Sequence, residues 1–398
     1  MKIISVNAGS SSLKFQLLEM PEEKVLISGV VDSIGNVDAS FYEVKINKDK
    51  IKTVVPVENH AVAVNLMLND LIERKIINSL DEIEGVGHRV VHGGVTFTES
   101  AVLTDQVVEE IRAVIPLAPL HNPAHLTGIK AFKEALPNVF QIAVFDTAFH
   151  QTMAPDAYMY AVPYEWYTEN KVRKYGAHGT SHQYVANKTA EFLGKPVEDL
   201  KIVTLHIGNG ASLAAVKGGK CVDTSMGLGP LAGIPMGTRS GTVDPTIVEY
   251  IAKERDLCYK EVLVALNKKS GYLGVSGVSN DSRELEKAAE SGNERAQLIL
   301  DMQAKSIADY IGSYYVYMEG IDVIAFTAGI GENSAAFRAR VLDRIKVLGV
   351  KYDEELIKVR GEELIISTPD SKITVVVMPT NEELAIARDV VRLKKENE

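Results

Sequence analysis

The chain has 398 residues, 46% hydrophobic and 24% charged, a globular composition that suits two domains better than one core. Its 53 acidic residues outnumber 43 basic ones, and the net charge of −10 argues against nucleic acid and anionic membranes as partners. No window approaches the roughly 18 apolar residues of a membrane span and the start, MKIISVNAGSSSLKF, lacks the pattern of a signal peptide, so a cytoplasmic protein is expected.

Four short runs rich in β-branched and apolar residues open the chain: Ile3–Asn7, Leu13–Leu18, Val25–Val31 and Phe41–Ile46. Gly, Ser, Pro, Asn or Asp turns separate them, so they read as strands. A helix over Ala61–Glu73 and a strand over Gly85–Val91 follow. Helices over Asp105–Val114 and Ala124–Ala135 then lead to a strand over Val139–Phe145. A similar order starts again with strands over Ile202–Ile207, Ala211–Val216 and Cys221–Thr224. Within the long helix Ala296–Met318, Leu300, Ala304, Ile307, Ala308, Ile311, Tyr314, Tyr315 and Met318 form one apolar stripe. Strands over Val323–Thr327 and Ile373–Met378 and a helix over Glu382–Lys394 complete the chain, the helix with acids first and Lys394–Lys395 at its end. The two halves therefore read as copies of one β-rich α/β unit, best matched where Val6–Ser10 and Ile207–Ala211 each join strand to strand through small residues. Two such units facing each other would leave a cleft suited to a polyphosphate.

The turns carry the chemistry. In NAGSSSLK, Asn7 to Lys14, small residues let backbone N–H groups reach phosphate oxygens, Ser10 and Ser12 add hydroxyls and Lys14 adds charge. A plain hairpin turn is the competing reading, and Gly208–Gly210 has the same two readings. TAGIGENS, Thr327 to Ser334, follows a strand and precedes a helix, where N–H groups favour anions. It lacks the third glycine of a dinucleotide fingerprint, and no GxxxxGK[ST] occurs, which excludes a P-loop enzyme. The glycine-rich stretch Met226 to Pro245 carries Arg239. Arg89, near a strand end in GHRVVHGG, suits a carboxylate or a phosphate, with a surface ion pair as its alternative. Asp146 follows an apolar strand, at the ligand edge of an α/β sheet or as a cap of the next segment.

Three histidine pairs, His88/His92, His121/His125 and His178/His182, have a spacing that would suit zinc on a helix. None has HExxH character, Pro123 interrupts one pair and nearby glycines point to loops for the others. A single His178 directed at a phosphoryl group is the better reading. Cys221 and Cys258 stand apart and outside any CxxC motif, which disfavours disulfides and thiolate metal sites.

The ordered set NAGSSSLK, GHRVVHGG, PLAPLHNP, FDTAFH, YGAHGTSH, HIGNGAS, GTRSGTVDP, AGIGEN and TNEE, spread over nearly the whole chain, resembles the acetate kinase family. That family belongs to the acetate and sugar kinase, heat-shock chaperone and actin superfamily. The resemblance implies an α/β fold of two duplicated ribonuclease H-like, actin-like ATPase domains facing across a cleft: residues 1–148 with 384–398, and residues 149–383. It also implies a homodimer that uses ATP and Mg²⁺, with Mn²⁺ as a substitute, to convert acetate reversibly into acetyl phosphate and ADP.

Roles follow for the matching positions. Asn7 and Glu382 would organise the metal. ATP would be held by Ser10, Ser12 and Lys14, by His206, Ile207, Gly208, Asn209 and Gly210, by Asp281, Ser282 and Arg283, and by Gly329, Ile330, Gly331, Glu332 and Asn333. Arg89 would pair with the acetate carboxylate, and Val91, Leu120 and Pro230 would line a methyl pocket. His178 and Arg239 would stabilise the phosphoryl group in transit, with His121 nearby. The resemblance assigns Asp146 to proton transfer. A carboxylate acceptor is already ionised at neutral pH, so orienting an arginine or a metal-bound water fits Asp146 better. Ala177 stands where the family commonly has Phe, which would widen the acyl pocket toward propionate. The alternatives are a propionate or butyrate kinase, an ATP-gated actin-like binding or filament-forming protein, and a zinc hydrolase.

Overall fold

A computed structural model describes residues 1–398, which divide into two compact units, Met1–Phe149 with Asn381–Glu398, and His150–Thr380. In the first, strands β1 (Lys2–Ala8), β2 (Ser12–Glu19), β3 (Lys24–Asp32), β4 (Phe41–Ile46), β5 (Asp49–Val54), β6 (Ile83–Val90), β7 (Ala101–Val102) and β8 (Phe140–Phe145) make one sheet in the order β5-β4-β3-β2-β1-β6-β8-β7. β1 runs antiparallel to β2 and parallel to β6, and β6 runs parallel to β8.

The second unit repeats this plan. Its strands β9 (Lys201–Ile207), β10 (Ala211–Lys217), β11 (Lys220–Thr224), β12 (Val323–Thr327), β13 (Leu364–Ile365) and β14 (Thr374–Val377) have the order β11-β10-β9-β12-β14-β13. β9 is antiparallel to β10 and parallel to β12, which is parallel to β14. Both sheets even end on a short antiparallel strand, β7 beside β8 and β13 beside β14. The duplication expected from the sequence is therefore a shared topology, with the β4–β5 hairpin an addition to the first copy.

The buried residues explain why these segments form these elements. In the first unit, Ile4, Val6 and Leu17 of the sheet pack with Met67 and Leu68 of the helix His60–Glu73 and with Phe132 of the helix Asn122–Ala135. The C-terminal helix Glu382–Asn397 lies against β6, where Gly85 and Gly87 make room for it. A Cβ at Gly85 would meet Val390 Cγ1 at 2.4 Å, and one at Gly87 would meet Ile386 Cγ2 at 2.2 Å. In the second unit the stripe of the helix Glu294–Tyr317 packs against the sheet through Ala304, Ile307, Ile311 and Tyr314. Tyr315, counted in that stripe from its spacing, is instead 37% exposed. The strand β5 escapes the sequence reading because all six of its residues are exposed, so no apolar alternation marks it.

Two local expectations are corrected. Pro123 does not interrupt a helix but sits in the first turn of Asn122–Ala135, where a missing N–H costs nothing. His178/His182 is not a loop pair either: the helix Gly179–Phe192 begins directly after His178, which holds the left-handed conformation at φ 57°.

Candidate active-site residues

Register brings the first cluster together. β6 and β8 pair in parallel, Arg89 opposite Val144 and Val90 opposite Phe145, so both strands end at the same edge. Asp146, the first residue beyond β8, is 1% exposed and faces Arg89. Arg89 Nε donates to Oδ1 at 3.0 Å and Nη2 donates to Oδ2 at 2.7 Å, a two-point clamp, while Nη1 takes no protein acceptor. Arg89 and Asp146 thus form an ion pair that is largely buried, not one on the surface. Burial works against the Arg89 charge, but Asp146 and Glu382 outweigh it and hold the guanidinium well above its ordinary range.

Glu382 opens the C-terminal helix, with its Oε2 3.8 Å from Arg89 Nε. Burial pushes its carboxyl up to about 7, opposed by Arg89 and reinforced by the negative charge of Asp146 and Glu383. His121 is the residue before the helix Asn122–Ala135, and His125, one turn on, is 4% exposed beside Arg89 and Asp146. Burial lowers the His125 imidazole to about 4, so it is neutral. In the sequence His125 stands out only as half of the His121/His125 pair, and its burial shows only in the fold.

NAGSSSLK forms the β1–β2 hairpin, its turn closed by Gly9 N–H donating to the Ser12 carbonyl at 2.8 Å and braced by His60 Nε2 on the Gly9 carbonyl at 2.8 Å. Asn7 and Lys14 are register partners across it, Ser10 and Lys14 are exposed and Ser12 is half-buried. Val91, just past β6, is half-buried, whereas Leu120 is 63% exposed.

In the second unit three separate stretches line one pocket of about 820 Å³: Gly208 and Asn209, Asp281–Arg283, and Gly329, Ile330 and Asn333. Ser334 of TAGIGENS completes its wall with Asn280, Glu286, Lys287, Glu290 and Arg360, the last five not sequence-derived candidates. Asp281 caps the helix Ser282–Glu290, accepting from Arg283 N–H at 2.8 Å.

Other residues of the same motifs do not reach that pocket. Ile207 is in the core, and Gly210 closes the turn, its carbonyl accepting from Gly208 N–H at 3.1 Å. Glu332 turns inward, its Oε1 accepting from Ala328 N–H at 2.7 Å and from Thr380 N–H at 3.1 Å. The first helical N–H of the AGIGEN turn is thus taken by a glutamate and is not offered to an anion. The carbonyl of Gly331 accepts from Nη1 of Arg338 at 2.8 Å. Arg338 is fully buried, and its Nη2 donates to the carbonyls of Ile357 and Val359. One guanidinium therefore ties the AGIGEN turn to the segment that leads into Arg360.

His178 and Arg239 converge on Gly210. A Cβ there would lie 3.4 Å from Arg239 Nη1 and 3.7 Å from His178 Nε2. The His178 ring stacks on His206 with centroids 4.2 Å apart, and His206 Nδ1 bonds Ser181 Oγ at 2.7 Å. His178 and His182 hold the hydroxyl of Ser212 between them. Burial draws the Arg239 guanidinium down, and its Nη1 also reaches the carbonyl of Pro230 at 3.4 Å. Ala177 is 6% exposed within the core of this unit, and its carbonyl meets His150 Nε2 at 2.9 Å. It is therefore a packing position of this unit.

Comparison with known proteins agrees over the whole chain. Residues 2–388 match the model of the acetokinase family. The chain is 57% identical over 392 residues to the acetate kinase of Geobacillus sp. (strain WCH70), covering 98% of each. It is similar to the crystal structure of Porphyromonas gingivalis acetate kinase, with TM-score 0.94, 44% identity and 98% and 99% of the two chains covered. A propionate kinase structure from Francisella tularensis is similar at TM-score 0.92 and 39% identity, covering 98% of each chain. With a full-length family match, relatives above half identity and the motif residues gathered at two strand edges, the chain belongs to the acetokinase family.

Proposed function

We propose that the protein transfers the γ-phosphoryl group of ATP to the carboxylate of acetate, reversibly, giving acetyl phosphate and ADP. The observation that carries this reading is the pocket of about 820 Å³ in the second unit, because three distant glycine and acid stretches meet there as a nucleotide site requires.

In this reading the acetate carboxylate pairs with the Nη1 side of Arg89, and Asp146 holds the other side of the guanidinium in place. An acetate oxygen attacks the γ-phosphorus while the bond to the ADP oxygen breaks, and no proton changes hands. Asp146 therefore acts as a positioning residue and not as a base. His178 and Arg239, converging on Gly210, donate to the phosphoryl oxygens in transit. His121 lies near the phosphoryl group in transit, and Val91, Leu120 and Pro230 contact the methyl group. Gly208, Asn209, Asp281, Ser282, Arg283, Gly329, Ile330 and Asn333 hold ATP. Ser10, Ser12 and Lys14 reach its phosphates, with His206, Ile207, Gly210, Gly331 and Glu332 shaping the turns behind them.

A divalent cation fits Asn7 and Glu382. Burial disfavours a charged Glu382, which a cation would relieve, and one carboxylate plus an amide suits Mg²⁺, which keeps most of its water and takes phosphate oxygens. When bound, Mg²⁺ or Mn²⁺ neutralises the terminal phosphates of the nucleotide.

We also assign the protein to the cytoplasm as a homodimer, with domains 1–148 plus 384–398 and 149–383 as the family resemblance implies. Helices Thr246–Arg255 and Tyr259–Lys268 bury only Val262 and leave Tyr250 and Tyr259 63% and 59% exposed, which suits a partner subunit. The test is hydroxylamine trapping of acyl phosphate with ATP, Mg²⁺ and a panel of short acids. Acetyl hydroxamate as the main product supports the assignment, propionyl hydroxamate in excess favours the longer-chain kinase, and no acyl hydroxamate refutes both.

A further inference from the structure

A chain of four side chains runs through the second unit beneath His178. Thr204 lies in β9 and Ser212 in β10, the strand antiparallel to it. His178 is the residue before the helix Gly179–Phe192 and His182 lies in its first turn, and the two rings meet at Ser212. Thr204 Oγ1 is 2.6 Å from His182 Nδ1, His182 Nε2 is 2.8 Å from Ser212 Oγ, and Ser212 Oγ is 2.8 Å from His178 Nδ1. All but His178 are fully buried.

The proton count of this chain is constrained. Burial, with His150 and His206 close by, keeps His182 neutral, so only one of its nitrogens carries a proton. Thr204 has His182 as its one hydrogen-bond partner through the side chain, and a buried hydroxyl with a single partner spends its proton there, since an orphaned donor is costly. His182 Nδ1 therefore accepts and Nε2–H donates to Ser212. Ser212, whose oxygen is thus used as an acceptor, directs its own O–H to His178 Nδ1. Every donor points toward His178.

We propose that His182, oriented by Thr204, acts through Ser212 as a positioning residue that fixes the His178 tautomer carrying its ring proton on Nε2. This inference rests on the reading that His178 faces the phosphoryl group. The Nε2 edge is the one beside Gly210 and Arg239. A neutral His178 then offers an N–H there, where the opposite tautomer would offer a lone pair to phosphate oxygens and repel them. His178 can stabilise the transferring group without being charged, which leaves Arg239 to supply the positive charge.

The test combines ring ¹⁵N NMR of histidine-labelled protein with an isosteric variant away from the substrate. In the wild type, at a pH where the ring is neutral, His178 and His182 are expected to show protonated Nε2 and unprotonated Nδ1. Thr204→Val removes the hydroxyl that orients His182. A His178 Nδ1–H signal should then appear and kcat should fall roughly three- to tenfold, with both KM values held and Thr204→Ser restoring both readouts. A fixed wrong tautomer costs about 10⁴-fold in a serine protease, so partial mixing should cost far less. A wild-type His178 protonated on Nδ1, or a Thr204→Val enzyme unchanged in both signal and kcat, overturns the proposal. His178→Gln retaining full kcat would instead refute the phosphoryl role of His178, whatever the wild-type ring signals show.

Discussion

Substituting Gly87 by alanine should damage catalysis from a residue that no substrate touches. The added Cβ would sit 2.2 Å from Ile386 Cγ2 and 2.9 Å from Val390 Cγ2 on the C-terminal helix. Carbon atoms rest at roughly 3.5–4 Å, so helix and strand must part by about 1.5 Å. The third near atom, the Ile386 backbone oxygen at 3.5 Å, is in ordinary contact, so the clash falls on two β-branched side chains that are stiff at χ1. Overpacking of this kind costs about 1–3 kcal/mol. The same helix begins with Glu382, 3.8 Å from Arg89 Nε, and displacing a catalytic constellation by about 1 Å can cost on the order of 10²-fold in rate. Gly87→Ala should therefore lower the urea midpoint and reduce kcat for acyl hydroxamate formation by ten- to a hundredfold, of that order. Ile386→Ala, which alone leaves a cavity costing about 2–5 kcal/mol, removes the nearer of the two atoms being struck. In the double variant the two stability losses should fall short of additivity by about 1 kcal/mol or more. Strict additivity, or a Gly87→Ala enzyme with wild-type midpoint and kcat, would refute the reasoning.

Asp146→Asn keeps the shape of the Arg89 clamp but removes its charge, so KM for acetate should rise and kcat fall by roughly 10–100-fold in steady-state assays; an unchanged enzyme would show that the clamp does not position Arg89. Glu382, with its carboxyl raised to about 7, must lose a proton to bind a cation, so Mg²⁺ affinity by calorimetry should weaken as pH falls below about 7. Without metal the native chain keeps a proton that the unfolded chain releases, so Glu382 lowers stability as pH rises from the ordinary glutamate range to about 7. Glu382→Gln should flatten that decline in urea titrations across pH. Arg338→Leu leaves two buried carbonyls and one part-buried carbonyl without their donor and loosens the AGIGEN segment, so it should destabilise by about 2–4 kcal/mol and raise KM for ATP more than KM for acetate.

Much of this protein was legible locally. Apolar alternation and Gly, Ser, Pro, Asn and Asp turns marked the strands, and Val323–Thr327 and Phe41–Ile46 fall where those signals placed them. Ile307, Ile311 and Tyr314 announced their helix face through spacing alone, because a helix repeats its buried side every few residues whatever it packs against. The small-residue turns NAGSSSLK and IGNG were visible from their composition, whereas AGIGEN, read as a glycine turn, folds as the short helix Ala328–Asn333.

What tertiary structure decided was which of these residues meet, and which way they point. Arg89 and Asp146 are 57 positions apart and become a clamp only because β6 and β8 pair in parallel at one register. Glu332 and Gly331 share a motif with Gly329 and Asn333, yet the first two turn inward to Ala328 N–H and Arg338 while the others face the pocket. Ala177 stands out in the sequence only as a small residue where the family commonly has Phe, and its packing in the core shows only in the fold. His182 and Thr204 carried no motif pointing to each other; only the placement of a helix over adjacent strands joins them to Ser212. Propensity and periodicity act within a few residues of the chain, whereas side-chain partnership depends on the register of strands and the depth of helix packing, and those are settled only when the whole core closes.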